Sequence, residues 1–549
     1  MVVGNATGIV LHIPFFPTTT FYRLAMKRQA FANLPLVLAM WIRPSHSFAN
    51  VPAMSCEDLV LPSFSGLAFS SFQAQTSYDN TSTLASDATF DFCNVTVSYN
   101  HEGEDDVTWV NIWLPLNDWN GRFQATGGGG LAAGLGLTYL LGAAASGYST
   151  GTTDAGLTLN NTIDPQTGRW ALKQDGSINK ALIENFAHRA IHDMTVIGKS
   201  LTRQFYGKRP SYSYYTGCST GGRQGYFAAQ RYPEDFDGIM ANAPALNSPE
   251  ISPGDFWPYL VMRNLAAPPQ CIFDAFNQAT LEHCDPLDGA RDGMISNLGT
   301  CEFEAQSLVG RNVSCGDRNV TITPLFADVV ARIWTGSTST NGALLFPGLA
   351  KGANFSGLAN TTTVNGSIMP IPFTSAEAWI RYLVFHDPHY NTANMTFKDF
   401  DDAFERSVIQ LSGILGTMSP DLSRFRRHGG KLLTWHGLAD QMITPYNSML
   451  YRSALSREMA LNQTQLNEFH RVFFAPGVAH CVGGIGPVPI DPLNALVGWV
   501  ENQDVPNTLP AAISVSPSRT VTRHLCPYPQ SLRYDGEGDI DDAGSFTCV

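Results

Sequence analysis

The sequence predicts an α/β protein whose strand-and-helix core comes in two parts, separated by a long insertion of different character. Three observations carry this. Strand-like and helix-like stretches alternate from about residue 85 to 240. From about 245 to 425 the chain instead holds four cysteines and a cluster of Asn-x-Ser/Thr sequons, with little periodicity beyond short pieces such as "TSAEAWIRYLVF". A buried-strand pattern then returns at "GGKLLTWHGLAD", residues 429–440. Strands alternating with helices imply a parallel sheet covered on both faces. The expected organisation is an N-terminal extension and export segment at 1–49, core at 50–244, insertion at 245–425 and core again at 426–549.

The elements follow in order. Met26-Lys27-Arg28, the apolar Ala30 to Ile42 and "RPSHSFAN" read as a basic region, an apolar region and a small-residue cleavage site ending at Ala49. Met26 is the expected start, and residues 1–25 have no clear role. The alternative is an uncleaved anchor, but the apolar run is too short to span a bilayer. "DVTWVNIWLPL" (106–116) is β-branched and aromatic and reads as a strand. "GRFQATGGGGLAAG" follows, with Gly127 to Gly130 as a loop. In "ENFAHRAIHDMTVIGKSLTRQFYG" the residues Ala190, Met194, Ile197, Leu201 and Phe205 share a helical face, and Gly207 ends the helix. "YSYYTG" is the next strand and "RQGYFAAQRY" the next helix, stopped by Pro233. "FHRVFFAPGVAHC" (469–481) is a strand and loop. "DPLNALVGWVENQ" is a helix with Asp491 as its cap and Pro492 in its first turn.

Composition excludes several classes. With 44 % hydrophobic and 15 % charged residues, the 549-residue chain suits a folded protein rather than a disordered one. Its net charge of −13, with no basic stripe, argues against a nucleic-acid partner. Ten cysteines, and ten sequons at Asn80, Asn94, Asn160, Asn312, Asn319, Asn354, Asn360, Asn365, Asn394 and Asn462, point to an oxidising compartment and a secreted, extracellular glycoprotein.

The chemistry centres on Gly217-Cys218-Ser219-Thr220-Gly221, a G-x-S-x-G between a strand and a helix. That context makes it the nucleophile elbow of an α/β-hydrolase, with the Thr220 amide aimed at the oxyanion. An ordinary glycine-rich turn is the bland alternative. A nucleophilic serine needs a base, and the base an orienting carboxylate, in the chain order Ser, Asp or Glu, His. Asp440 follows a strand, and His480 lies in the loop after another, so these are the candidates. His436, at its strand's end, reads as a packed histidine. Cys218 directly precedes Ser219, and Cys481 directly follows His480. If serine and base meet, their neighbours come within disulfide reach, and the bond would staple the base loop to the elbow. Two separate thiols are the alternative, disfavoured by ten cysteines in an exported chain.

"GCSTGGRQGYFAAQRYPEDFDGI", "WHGLAD", "PGVAHCVGGIGP" and "LCPYPQSLRYDGEGDIDDAGSFTC" together resemble the fungal tannase and feruloyl esterase family, from about Cys56 to Cys548. The resemblance implies Ser219 as nucleophile, Asp440 as orienter, His480 as base and a Cys218–Cys481 disulfide. It implies that the insertion is a lid on an α/β-hydrolase core. By analogy, Cys56 pairs with Cys93, Cys284 with Cys301 and Cys526 with Cys548, which leaves Cys271 and Cys315 as the remaining pair. It also implies a structural Ca2+ in the lid at "CDPLDGARDGMI", held by the carboxylates of Asp285, Asp288 and Asp292 and the carbonyls of Ala290 and Met294. A solvated acidic turn is the alternative there. The second oxyanion donor is expected from the glycine loop, at Gly129 or Gly130.

The function so implied is a secreted serine ester hydrolase on aromatic esters. Feruloyl-type (hydroxycinnamate) esters come first, galloyl esters second, with small aromatic esters or feruloylated plant cell-wall polysaccharide as partners. No organic cofactor and no membrane partner after export are expected, and oligomeric state stays open. A peptidase and a non-catalytic glycoprotein on the same fold are the competing readings.

Overall fold

The computed structural model describes residues 51–81, 89–418 and 420–549. The expected export segment through Ala49 and the side chain of the Asn80 sequon lie outside the described residues. Nine strands form the main sheet. In chain order they are β1 (Leu67–Thr81), β2 (Thr89–His101), β3 (Thr108–Pro115), β4 (Arg122–Thr126), β5 (Ser149–Thr153), β6 (Tyr212–Cys218), β7 (Gly238–Asn242), β8 (Lys431–Gly437) and β9 (His470–Ala475). Their spatial order is β1-β2-β3-β5-β4-β6-β7-β8-β9.

The sheet is mixed, which corrects the expectation of a parallel one. β1, β2, β3 and β5 pair antiparallel, whereas β5 through β9 pair parallel. The reason lies in the connections. Residues 102–107 join β2 to β3, far too few for a parallel crossover, which needs a dozen or more. β8 is buried almost end to end, with only Lys431 half-exposed, as a strand covered on both faces requires, whereas β6 is half-exposed at Tyr212 and from Thr216 to Cys218.

The helices that flank this sheet follow their apolar periodicity. In α1 (Ala190–Tyr206), Met194, Ile197, Leu201 and Phe205 are buried, and Gly207, at φ 69°, ends it left-handed. α2 (Thr220–Arg231) leaves β6 directly after Ser219.

Residues 243–430 separate β7 from β8, yet these strands pair directly, with Gly238 opposite Lys431. Among the described residues, the insertion adds no strand to the main sheet. It is more regular than expected, with α3 (Ser248–Asn264), α4 (Gln270–Cys284), α5 (Pro324–Thr335), α6 (Phe397–Leu415) and three small hairpins. Periodicity hid α3 because it carries Pro253 and Pro258 and is buried nearly all round. It packs into one large apolar cluster with Phe273, Val330 and Phe400. After β8 come α7 (Tyr446–Glu458) and α8 (Pro492–Glu501). Ala49–Val549 form one compact unit.

All ten cysteines are paired: Cys56–Cys93, Cys218–Cys481, Cys271–Cys315, Cys284–Cys301 and Cys526–Cys548. Among the described residues, no helix is long and apolar enough to cross a membrane.

Candidate active site

β6 delivers Ser219 to the edge of a cavity. The serine adopts φ 64°, ψ −122°, a strained conformation for a residue with a Cβ. Its surroundings hold it there. The Ser219 amide donates to Asn242 O at 3.0 Å, and its carbonyl accepts from the Arg223 and Ala245 amides, each at 3.0 Å. The glycines of the motif are sterically required: a Cβ on Gly217 would lie 2.6 Å from the Gly221 carbonyl carbon.

The acid and base arrive from the ends of β8 and β9. Asp440 Oδ2 lies 2.8 Å from His480 Nδ1, and its Oδ1 accepts from the amides of Met442 and Ile443, each at 2.9 Å. His436 Nε2 approaches the same Oδ2 at 3.1 Å. Burial alone would raise the Asp440 pKa, but the His480 charge and the hydrogen bonds from His436 and His480 outweigh it and hold the carboxyl well below its usual range. Asp440 therefore stays ionised and fixes a proton on Nδ1, which leaves Nε2 as the basic nitrogen. The base loop is pinned further by the His480 amide, which donates to Gln441 Oε1 at 3.0 Å.

Ser219 and His480 line one cavity of about 630 Å3. No Ser219–His480 hydrogen bond within 3.5 Å is formed among the described residues; such contacts often tighten only with substrate bound. Cys218 and Cys481 are bonded, with Cα atoms 6.0 Å apart, so the serine and base loops are covalently joined beside both side chains.

The glycine loop after β4 lines the same cavity. Here the structure separates the two glycines expected as donors. The Gly129 amide is spent on Ala132 O at 3.1 Å, which removes it as an oxyanion donor. Among the described residues, neither the Gly130 nor the Thr220 amide has an intramolecular partner. Gly130 sits at φ 58°, and a Cβ there would lie 2.2 Å from Gln166 Oε1. Gln166 clamps this loop: its Oε1 accepts from the Leu131 amide at 3.0 Å and its Nε2 donates to Gly129 O at 2.9 Å. Thr220 Oγ1 adds a 2.6 Å bond to Gly130 O. Nothing in the sequence marked Gln166 as part of the site.

The insertion lines the cavity with Ile251, Phe373 and Trp379, and the core with Phe186 and Leu131. It also brings Ser252 and the buried Asp255, which sequence reasoning missed. The available signal was spacing: Ser248, Ile251, Ser252 and Asp255 stand at i, i+3, i+4 and i+7 along α3.

The acidic turn after α4 is built inward. Asp285 Oδ1 accepts from the amides of Asp292, Gly293 and Met294 at 3.0–3.1 Å. Asp288 Oδ1 accepts from the Ala290 amide, while its Oδ2 is buried with no partner. Asp285 is pushed up to about 6 by burial and by the neighbouring Asp292 charge, and Asp288 is raised chiefly by burial. The Asp288 Oδ2 left without a partner among the described residues is the atom here that suits a cation. Arg523 serves the neighbouring carboxylate, with Nη2 2.5 Å from Asp292 Oδ2. The three side chains do not, as a set, bring ligand atoms within 4.8 Å of one another, so the carbonyls of Ala290 and Met294 would have to complete any shell. The tighter group His101–Glu104–Asp106 is already occupied by its own ion pairs with Arg189 and Asp193.

The profile described as "Tannase and feruloyl esterase" matches residues 93–549. A protein named "Probable feruloyl esterase" from Arthroderma benhamiae is 45 % identical over 469 residues, covering 84 % of this chain and 86 % of that one. A "Probable feruloyl esterase B-2" from Aspergillus fumigatus is 31 % identical, with the same coverages of 84 % and 86 %. Among solved structures, the tannin acyl hydrolase from Aspergillus niger superposes with a TM-score of 0.80 at 27 % identity, covering 88 % of this chain and 92 % of that one. Feruloyl esterase B from Aspergillus oryzae gives 0.73 at 28 %, covering 89 % and 98 %.

Proposed function

The chain belongs to the tannase and feruloyl esterase family and is a carboxylic ester hydrolase, and on that premise we propose that it cleaves hydroxycinnamate (feruloyl-type) esters through Ser219, His480 and Asp440. The observation that carries this reading is the single cavity in which an elbow serine and an aspartate-anchored histidine meet apolar and aromatic walls.

Ser219 Oγ attacks the ester carbonyl while His480 Nε2 takes its proton. The oxyanion that forms is held by the Thr220 and Gly130 amides, and Asp440 stabilises the imidazolium without itself being protonated. His480 then gives the proton to the leaving alcohol, and the acid remains esterified to Ser219. Water enters, His480 takes one of its protons, and the hydroxide attacks the acyl carbonyl. Collapse returns the proton to Ser219 Oγ and releases the aromatic acid. Phe186, Trp379 and Phe373 offer the ring its apolar contacts. A galloyl ester is the second reading, favoured by the higher TM-score to the Aspergillus niger tannin acyl hydrolase.

We also infer a secreted glycoprotein. Five disulfides suit an oxidising compartment. Eight of the ten sequon asparagines are exposed, whereas Asn94 is half-buried in β2. Ca2+ is proposed at Asp285, Asp288 and Asp292, where it would neutralise the buried carboxylates and fix the turn rather than take part in the reaction.

The test is a panel of methyl ferulate, caffeate, sinapate and gallate with wild type and Ser219→Ala, beside labelling by a fluorophosphonate. The expected result is turnover fastest on a hydroxycinnamate, lost with Ser219→Ala. Activity surviving that change would sink the mechanism, gallate preference would move the substrate to the second reading, and failure to label would favour a non-catalytic protein.

A further inference from the structure

Asp255 is a buried acid with no partner among the described residues. It is 7 % exposed, and among the described residues it makes neither a hydrogen bond nor an ion pair. Buried polar groups are normally satisfied, and an ionised carboxylate left bare is costly. Burial, and after it the Asp440 charge, raise its pKa well above the usual carboxylate range, which favours its neutral, protonated form. A neutral carboxyl offers one O–H donor and one carbonyl acceptor.

Its position gives that pair a use. Asp255 lines the cavity that holds Ser219 and His480. It lies on the α3 face of Ser248, Ile251 and Ser252, seven residues or about 10 Å along the helix from Ser248. Trp379 and Ile251 give the cavity apolar lining and Ser248, Ser252 and Ser375 add hydroxyls, but among the described residues none of these is hydrogen-bonded to Asp255. A second cleft behind it, about 20 Å3, has room for one water at most, so a partner of any size must sit in the main cavity.

We propose that Asp255 is the specificity determinant of the acyl pocket, reading a hydroxyl on the aromatic ring of the bound acyl group by donating one hydrogen bond to it and accepting another from it. This rests on the aromatic-ester reading above. A site built to bond a hydroxyl discriminates against the analogue lacking it, because binding that analogue leaves the buried group unpaired. An anionic carboxylate could only accept; the neutral form matches a phenol on both counts.

The experiment compares kcat/KM for methyl p-coumarate and methyl cinnamate, which differ by one ring hydroxyl, in wild type, Asp255→Leu and Asp255→Asn. The wild-type ratio is expected to favour p-coumarate by about tenfold or more. It should collapse toward one in Asp255→Leu and be largely kept in Asp255→Asn, which retains a donor and an acceptor. A wild-type ratio near one, or a ratio unchanged in Asp255→Leu, overturns the proposal even if that enzyme is slower on both esters. If Asp255→Leu does not fold, the wild-type ratio and Asp255→Asn still decide. A wild type inert on every aromatic ester overturns the function reading, and this one with it; one active on them without discrimination overturns this one alone.

Discussion

Replacing Gly130 by alanine tests the oxyanion hole at its least forgiving atom. A Cβ there would stand 2.2 Å from Gln166 Oε1, so the clamp must move by more than an ångström to restore contact. That motion breaks the bonds Gln166 makes to the Leu131 amide and Gly129 O. It also places alanine at φ 58°, where an L-residue costs about 1–2 kcal/mol. Both effects push the loop away from the conformation that presents the Gly130 amide. Losing one oxyanion donor costs roughly 100- to 1000-fold in kcat, or about 2.7–4 kcal/mol. Gly129→Ala is the control. Its Cβ would meet only the mobile Leu135 side chain, nearest at 3.1 Å, and its amide is already bonded. The assay is kcat and KM on methyl ferulate, with thermal unfolding to verify folding. Gly130→Ala is expected to lose at least 100-fold in kcat and Gly129→Ala less than about fivefold. Equal losses, or a Gly130→Ala enzyme within about threefold of wild type, would refute the assignment.

Three further outcomes are expected. The Cys218→Ser/Cys481→Ser variant should lose at least tenfold in kcat while far-UV circular dichroism stays native-like, because the bond sets loop geometry beside Ser219 and His480; full activity would refute the stapling argument. His101 is opposed by burial but carried up to about 9 by its bonds to Asp106 and Asp193. Its contribution to stability is thus complete below about pH 6.5 and lost as pH rises through about 9; the Tm gap between wild type and His101→Gln should shrink over that window, and a constant gap would contradict this. Chelation should lower the Tm of the wild type, with recovery on adding Ca2+; Asp288→Asn should blunt the response, and an unchanged wild-type Tm would remove the metal.

What could be read from sequence was what sterics and spacing dictate locally. The G-x-S-x-G elbow was legible because its glycines answer a backbone clash, and α1 because Ala190, Met194, Ile197, Leu201 and Phe205 recur at helical spacing. Cys218 and Cys481 were legible through adjacency, each next to a residue expected at the site. Strand direction at β2–β3 was written in a short connection rather than in composition, and the alternation of strands and helices masked it. α3 was hidden by its own burial and by two prolines. Gly129 and Gly130 are told apart by a hydrogen bond from the Gly129 amide to Ala132 and by the close approach of Gln166 to Gly130, and Asp255 reaches the cavity only once the insertion has folded over the core. Such contacts join residues distant in the chain, and no local pattern announces them.

The Cys218–Cys481 bond closes a covalent ring of the chain, 263 residues in sequence separation, that contains the entire insertion. A protease that cuts an exposed hairpin in it, such as Thr361–Val364 with Ser367–Pro370, would make a two-chain protein, with Ser219 on the first chain and Asp440 and His480 on the second. The chains would run as one species on a non-reducing gel and as two after reduction. A cut in that hairpin would therefore nick the chain without parting the serine from its base.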